Sequence, residues 1–560
     1  MTTKKLPIGL SDFKELMVND YYYIDKTKYI KDIIKSSAKI LLLPRPRRFG
    51  KTLNLSMLKY FFDKSLENNK QLFKELEIEK HEEFELHQGK YPVIFMTFKD
   101  VKHLNWEHCL SSLKYVIYDE FTKHRYLMEG DSLFPDEKIF FQKALERSLS
   151  QDECHNALKY LSKCLSRYYN MPVVILIDEY DTPIHAGYAK GYYEEIISFM
   201  RNFLSGGLKD NTYLFKGVLT GILRVAKESV FSGLNNLGVY TLLDKEFNTF
   251  FGFTEPETAN LLKDYDLSNR FNEVSSWYNG YNFGGKVIYN PWSILQFTHR
   301  KPKIPSPYWV NTADTGMIDS LATKGGREVK EEIGYLLEGK SIVKPVYESI
   351  VIYDLEKRDD LLWSFLLFSG YLKTAGEKGQ KNTYQLAIPN REVRYIYEEM
   401  IIRWFGEKIE SSRIETLLNS LIKGNIDDFE YLLADIVEKV LSFHDTGGTE
   451  PEKFYHAFIL GLLVWLEDRY EVKSNRESGL GRYDAALIPK DRSKIGIIME
   501  FKKVNKRKKE TPEQTLKKAM EQIEKKKYAA ELQAAGIKDI IKIAIAFKGK
   551  ELWLEHSLLK

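Results

Sequence analysis

Three short stretches of this 560-residue chain combine residue types that do chemistry on phosphates. The first is Gly50-Lys51-Thr52, which follows the apolar run AKILLL at 38–43 and the loop LPRPRRF. A strand, a loop and the N-terminus of a helix together present backbone N–H groups to an anion, and a lysine there reaches terminal phosphates. Gly50 lets the backbone approach, Lys51 supplies charge and the Thr52 hydroxyl suits Mg²⁺. Arg48 and Phe49 complete the nucleotide-facing loop. The usual spacing G-x-x-x-x-G-K-[ST] wants glycine at position 45, where this chain has Arg45. A lone GKT reads equally well as a basic turn before a helix.

The second stretch, PVVILIDEYDTPI, sets Asp178 and Glu179 at the C-terminal end of an apolar strand, where α/β sheets bind ligands. Asp178 is placed to hold Mg²⁺ and Glu179 to orient or deprotonate an attacking water. A further apolar strand ends in LTGILR. It puts Thr220 and Arg224 at the same edge, one able to sense a γ-phosphate and the other to neutralise charge. Two motifs in order, each behind a buried strand, outweigh the reading as solvated turns.

The third stretch is NRESGLGRYDAALIPKDRSKIGIIMEFKK. Two apolar strands flank a polar turn at 489–494. A hairpin centred on Arg492 sets Asp484 opposite Glu500, with Cβ atoms about 4.5–5.5 Å apart on one face. Lys502, two residues on, shares that face. Two carboxylates and a lysine at one point suit phosphodiester hydrolysis: hard oxygens for Mg²⁺ and an ammonium for the charge on phosphorus. A solvated acidic pair neutralised by a lysine would not explain why both acids interrupt apolar strands. Glu477, in NRESG, is a further acid that could support the pair.

The elements that must position these residues follow from pattern. Apolar strands at 38–43, 172–177 and 213–219 alternate with helices, the first helix running from about 53 to 63, which predicts a parallel sheet covered on both faces. Aromatic loops dominate after Phe253, including Trp277, Tyr278, Tyr281 and Tyr289, which read as packing in a small lid. Residues 325–440 read as mainly helical. Strands at 482–488, 495–501 and 542–547 enclose a basic helix at 512–530. The expected division is 1–255, 256–325, 326–445 and 446–560. Basic residues number 83 against 79 acidic, a net +4, which argues against a DNA-packaging protein. Between Phe501 and Ala530, however, 11 Lys/Arg face 4 Glu, and Lys506, Arg507, Lys508 and Lys509 suit a phosphate backbone. Cys109, Cys154 and Cys164 form no CxxC pair, so no disulfide scaffold or cysteine-rich zinc site is expected, and a reducing cytoplasm is. The longest apolar run, AFILGLLVWL, is too short to cross a bilayer as a helix.

With these residues in view, LPIGLSDFKELMVNDYYYIDKTKYI, LLLPRPRRFGKTLNLSMLKYFF, ILIDEYDTPI and LTGILRVAKESVFSGLNNL resemble the AAA-ATPase-like proteins of bacteria and archaea that carry a C-terminal PD-(D/E)XK nuclease domain. An arginine-rich loop in place of the first glycine is a feature of that family. The resemblance implies a P-loop NTPase sheet with a helical or winged lid, a helical connecting region and a C-terminal restriction-endonuclease-like α/β domain. It gives Lys51, Thr52, Asp178 and Glu179 the Walker A and Walker B roles and places Tyr23–Thr27 near the nucleotide base. Asp484, Glu500 and Lys502 resemble the nuclease motif, with Tyr483 where a proline is common. Gln522 and, at a wider spacing than usual, Tyr528 match polar positions on the following helix of related nucleases.

The expectation is therefore an ATP- and Mg²⁺-dependent hydrolase fused to a Mg²⁺-dependent nuclease acting on nucleic acid, DNA ahead of RNA. ATP would control the nuclease. Homo-oligomers, common among AAA proteins, and no membrane partner are expected, and the family setting suggests defence against phage or mobile elements. A STAND-like signalling switch with a nuclease effector, and an ATPase with a non-cutting nuclease fold, stay open as alternatives.

Overall fold

The computed structural model describes residues 4–559 apart from 65–67, 131, 225–229, 232–235, 310–326, 338, 351, 356–357, 377–378, 407–410, 441–457, 460, 467–468, 475–476, 479–480, 506–508 and 527. They gather into two compact units, one of Met1–Ile318 with Val343–Glu392, the other of Asp319–Ile342 with Val393–Lys560.

The first unit is built on five strands: β1 (Ile40–Pro44), β2 (Val93–Thr97), β3 (Val173–Asp178), β4 (Leu214–Gly221) and β5 (Leu237–Val239). All pair in parallel, in the order β2-β3-β4-β1-β5. β1 and β3 are buried along their whole length, as strands covered on both faces must be, and this is why they read as continuous apolar runs. Two strands escaped the sequence reading. β2 is apolar from Val93 to Met96 but half-buried at Phe95 and Thr97, and β5 has only three residues, one of them glycine. The ladder sets Leu43 beside Thr220 and Ile177 beside Leu219, so the C-terminal ends of β1, β3 and β4 lie side by side. After β5 comes a small lid in which β6 (Phe253–Thr254), β7 (Tyr281–Phe283) and β8 (Lys286–Tyr289) pair antiparallel among short helices. Tyr278, Tyr281 and Tyr289 are buried there, Tyr278 and Tyr289 in one cluster with Trp277 packed against it, so these aromatics fill a core.

The second unit contains helices Ser411–Lys423 and Ile426–Val440 and a mixed sheet. Its strands are β9 (Tyr470–Ser474), β10 (Ala485–Pro489), β11 (Gly496–Lys503), β12 (Ile540–Lys548) and β13 (Glu551–Leu559), in chain order across the sheet. Only β11 and β12 run parallel. Between them helix Pro512–Lys525 makes the crossover that parallel neighbours require. A Thr511 cap and Pro512 in its first turn start that helix, and Leu516, Ala519 and Ile523 form its buried stripe.

Candidate active sites

The first site begins where β1 ends. Gly50 takes a left-handed conformation, φ 83°, that glycine adopts without penalty, and helix Lys51–Phe62 starts from it. Leu55, Leu58, Phe61 and Phe62 bury that helix. Arg45, standing where the phosphate-loop pattern has glycine, is fully buried. Its guanidinium donates to the carbonyls of Pro44 (2.7 Å), Tyr240 (2.7 Å) and Phe247 (3.4 Å) and lies 4.9 Å from the Phe251 ring centroid. Burial draws its pKa down to about 10. The arginine thus bolts the loop to the segment after β5, and the missing glycine is replaced by a structural tie. Phe49 is buried as well, 4.9 Å from Tyr281 and 5.2 Å from Phe283.

The three strand ends bring the expected polar groups together. Asp178 is fully buried and accepts from Thr52 Oγ1 at 2.6 Å on one oxygen and from Thr220 Oγ1 at 2.5 Å on the other. Lys51 is buried, with Nζ donating to the loop carbonyls of Arg45 (3.0 Å) and Pro46 (2.9 Å). Burial lowers the pKa of its ammonium, while the charges of Glu179 and Asp178 work to raise it. Glu179 holds φ at 49°, an uncommon conformation for a residue with a side chain and one that recurs at functional sites. Its carboxylate accepts from Thr182 Oγ1 at 3.1 Å. Asp181 is engaged elsewhere: buried, it accepts from the N–H groups of Ile222 (2.7 Å) and Leu223 (2.9 Å), with His185 3.4 Å away. Arg224 follows this held segment, its carbonyl accepting from Ile350 N, and is not among the cavity-lining residues.

Gly50, Lys51, Thr52 and Glu179 line a cavity of about 440 Å³, a size typical of small-molecule sites. Tyr22, Tyr23, Ile24 and Lys26 form another wall of this cavity. Lys26 is itself committed, at 2.7 Å to Glu257 and to the Thr249 carbonyl. Leu10, Leu16, Leu53, Phe253 and Leu295 supply apolar lining. Trp292 of the lid, and Lys99 and Lys102 after β2, also reach the cavity. Sequence reasoning missed them, because a single aromatic or lysine in a long sequence carries no signal of the wall it will join.

The second site lies at the open end of the β10–β11 ladder. Ala485 pairs Met499, Ala486 pairs Ile498 and Leu487 pairs Ile497, the register of a turn centred on Arg492. One step further, Asp484 leaves the strand, and its Oδ2 accepts from Phe501 N at 2.7 Å, a side chain taking over where the ladder stops. That fastens Asp484 beside Glu500. Glu500 is 1% exposed, and its Oε1 accepts from Lys502 Nζ at 2.7 Å and Gln522 Nε2 at 2.5 Å. Gln522 also donates to the Tyr528 hydroxyl at 3.1 Å. Burial raises the Tyr528 pKa, the charges of Glu500 and Asp484 adding to the effect. Tyr483, in the position where proline is common, is a core residue whose hydroxyl donates to Glu531 at 3.0 Å.

Asp484, just before β10, and Glu500 on β11 are hard-oxygen donors, a set that fits Mg²⁺ completing its shell with water and phosphate oxygens. Among the described residues no group of three metal-ligating side chains occurs. Glu477 pairs with Arg482 in a short ladder, and its side chain lies outside the described residues. Lys506, Arg507 and Lys508 also lie outside them, and Lys509 is exposed. Among the described residues no helix is long and apolar enough to cross a membrane.

Comparison with known proteins finds a separate match for each of the two segments that carry these sites. Residues 7–231 match the family described as predicted AAA-ATPase, and residues 450–557 match the PD-(D/E)XK nuclease superfamily. The chain is also 27% identical over 498 residues to an uncharacterized protein in the vnfD 5′ region of Azotobacter chroococcum mcd 1, covering 84% of this chain and 85% of that protein.

Proposed function

Because the chain joins an AAA-ATPase-like segment to a PD-(D/E)XK nuclease superfamily segment, we propose that it hydrolyses ATP in the first unit and cleaves nucleic acid, DNA ahead of RNA, in the second, with ATP controlling cleavage. The observation that carries the first half is Lys51, Thr52 and Glu179 lining one cavity with Asp178 buried behind Thr52. The Gly50–Thr52 backbone and Lys51 hold the phosphates, Thr52 and Asp178 are the groups that would hold Mg²⁺, and Glu179 takes the proton of the attacking water. Thr220 keeps the Asp178 carboxylate oriented.

The convergence of Asp484, Glu500 and Lys502 supports the second half. Asp484 and Glu500 would hold Mg²⁺, which when bound polarises a phosphate and acidifies water. Lys502 stabilises charge on the attacked phosphate, and Gln522 fixes the Glu500 carboxylate. Lys506, Arg507, Lys508 and Lys509 contact the nucleic-acid backbone.

The test incubates the full chain with supercoiled plasmid, linear DNA and single-stranded RNA in Mg²⁺, with and without ATP. Expected are ADP release and ATP-dependent nicking that favours DNA. Absence of both activities overturns the reading. RNA cut faster than DNA overturns the substrate assignment.

A further inference from the structure

We propose that Arg48 acts in cis as a catalytic arginine, its guanidinium stabilising the charge that builds on the terminal phosphates during ATP hydrolysis, with Trp292 as its positioning residue. The inference rests on the ATPase reading above. It concerns a requirement that sequence motifs leave unassigned, since phosphoryl transfer to water is accelerated by an arginine that either the same chain or a partner can supply.

Each of the loop's three arginines has a different fate. Arg45 is consumed in the core. Arg47 and Arg48 both line the cavity with Lys51 and Glu179. Of these two, Arg48 has a platform: its guanidinium carbon lies 4.4 Å from the Trp292 ring centroid, a cation–π distance. Arg48 also holds φ at 67°, an unfavourable backbone state for a residue with a side chain. Burial lowers its pKa and Arg47 adds to that, while the charge of Glu179 opposes it.

The platform is fixed in turn. The Trp292 indole N–H donates to the Tyr308 carbonyl at 3.1 Å. Its neighbour Ser293 donates to both oxygens of the buried Glu392, at 2.9 and 2.8 Å. Trp309 donates its backbone N–H to Glu392 at 2.6 Å and its indole N–H to the Arg47 carbonyl at 3.1 Å. One carboxylate thus organises the ring under the Arg48 side chain and the clamp on the backbone beside it. Such rigidity suits a charge that must be in place before the reaction. In the step itself the water oxygen bonds to the terminal phosphorus as the bond to the bridging oxygen breaks. ADP leaves, the water proton passes to Glu179, and Arg48 exchanges none.

The experiment compares wild type, Arg48→Ala, Arg48→Lys and Lys51→Ala for ATP turnover and, separately, for binding of a non-hydrolysable ATP analogue by tryptophan fluorescence. Arg48→Ala should lose about 10²–10³-fold in kcat, as loss of one preorganised charge does, while analogue affinity changes less than about tenfold. Wild-type turnover per chain should not change with protein concentration, and mixing Arg48→Ala with Lys51→Ala should restore nothing. Arg48→Lys should recover only part of the loss, since an ammonium lacks the planar fork. Trp292→Ala should lower kcat more than Trp292→Phe, which keeps a ring face. Unchanged turnover in Arg48→Ala, restored turnover in the mixture, or loss of analogue binding together with turnover would each overturn the proposal. The second result would place the arginine in trans, and the third would make Arg48 a prop for the loop. Wild type that binds no analogue and releases no ADP sinks the ATPase reading itself, and this inference with it.

Discussion

The two candidate sites are assembled over different lengths of chain. Asp484 immediately precedes β10, Glu500 and Lys502 lie on β11 after one turn, and the next helix adds Gln522. Asp178 and Thr220 instead end β3 and β4, and Lys51 and Thr52 open the helix after β1, three strands adjacent only through the order β3-β4-β1, while the cavity walls run from Pro7 to Leu295. A hairpin site is governed by register, where one slipped residue turns every side chain over. A parallel-sheet site is governed by topology, which no local pattern encodes. The hairpin should therefore fail through single side chains, whereas the phosphate-loop site should also fail through distant supports.

The largest effect expected is at the hairpin. Asp484→Ala and Glu500→Ala should each lower Mg²⁺-dependent nicking by about 10³-fold or more while ATP turnover persists, because each removes a carboxylate that would hold the metal. Glu500→Ala also deprives Lys502 and Gln522 of their shared acceptor, so Glu500→Gln serves as the gentler variant. Lys502→Ala should cut the rate but leave Mg²⁺ affinity intact or raised, since an ammonium repels a nearby cation. A plasmid-nicking assay with Mg²⁺ titration calorimetry decides this. Normal nicking by both carboxylate variants would leave the hairpin without a role.

Next in size is the phosphate loop. Lys51→Ala should lower ATP turnover by about 10²–10³-fold and weaken nucleotide binding, as loss of a preorganised charge does. Glu179→Gln should keep binding and lose turnover. Equal loss of binding in the two variants would show that Glu179 shapes the cavity instead of acting on water.

How legible each region was follows the same division. The hairpin register was readable because a turn fixes pairing, and Ala485↔Met499 lies where a centre at Arg492 puts it. β1 and β3 were readable because strands covered on both faces read as continuous apolar runs, a pattern that β4 keeps around Lys216. The edge strand β13, which mixes exposed and buried positions in ELWLEHSLL, was not. The meaning of Arg45 was hidden as well. The sequence registers a missing glycine, but the carbonyls that accept the arginine belong to Tyr240 and Phe247, about 200 residues away. The bond from Ser293 to Glu392 spans 99 residues and is equally invisible beforehand.

A smaller effect concerns the basic run. Neutralising Lys506, Arg507, Lys508 and Lys509 should weaken DNA binding without changing sequence preference. It should also flatten the log–log salt dependence by about one unit for each phosphate that the protein no longer neutralises. Filter-binding or anisotropy titrations over a salt series read both. An unchanged slope would return these residues to an ordinary solvated surface.

The smallest effect, and the one that most sharpens the contrast, is expected at Glu392. Burial raises its carboxyl from the ordinary 4.5 to about 8, the Trp309 N–H and Ser293 hydroxyl working in the opposite direction. Below pH 4.5 the group is protonated whether the chain is folded or not. As pH rises from about 4.5 to about 8, the unfolded chain releases this proton while the folded chain keeps it. The folded state then binds more protons, so this group's contribution to stability falls across that window and levels off above it. Glu392→Gln presents a neutral amide to Trp309 and Ser293, so at pH 5 it should lie within about 1 kcal/mol of wild type. Wild type should then lose stability toward pH 8 relative to the variant, and its affinity for an ATP analogue should follow, because Glu392 supports Trp309 on the Arg47 carbonyl and Ser293 beside Trp292. Mg²⁺ binding at the hairpin site, whose geometry rests on its own ladder, should keep the same pH profile in both proteins. Thermal melts and analogue binding from pH 5 to 8 would test the pair. Parallel curves for wild type and variant would mean that Glu392 does not titrate in this window and that the distant carboxylate is a passive anchor.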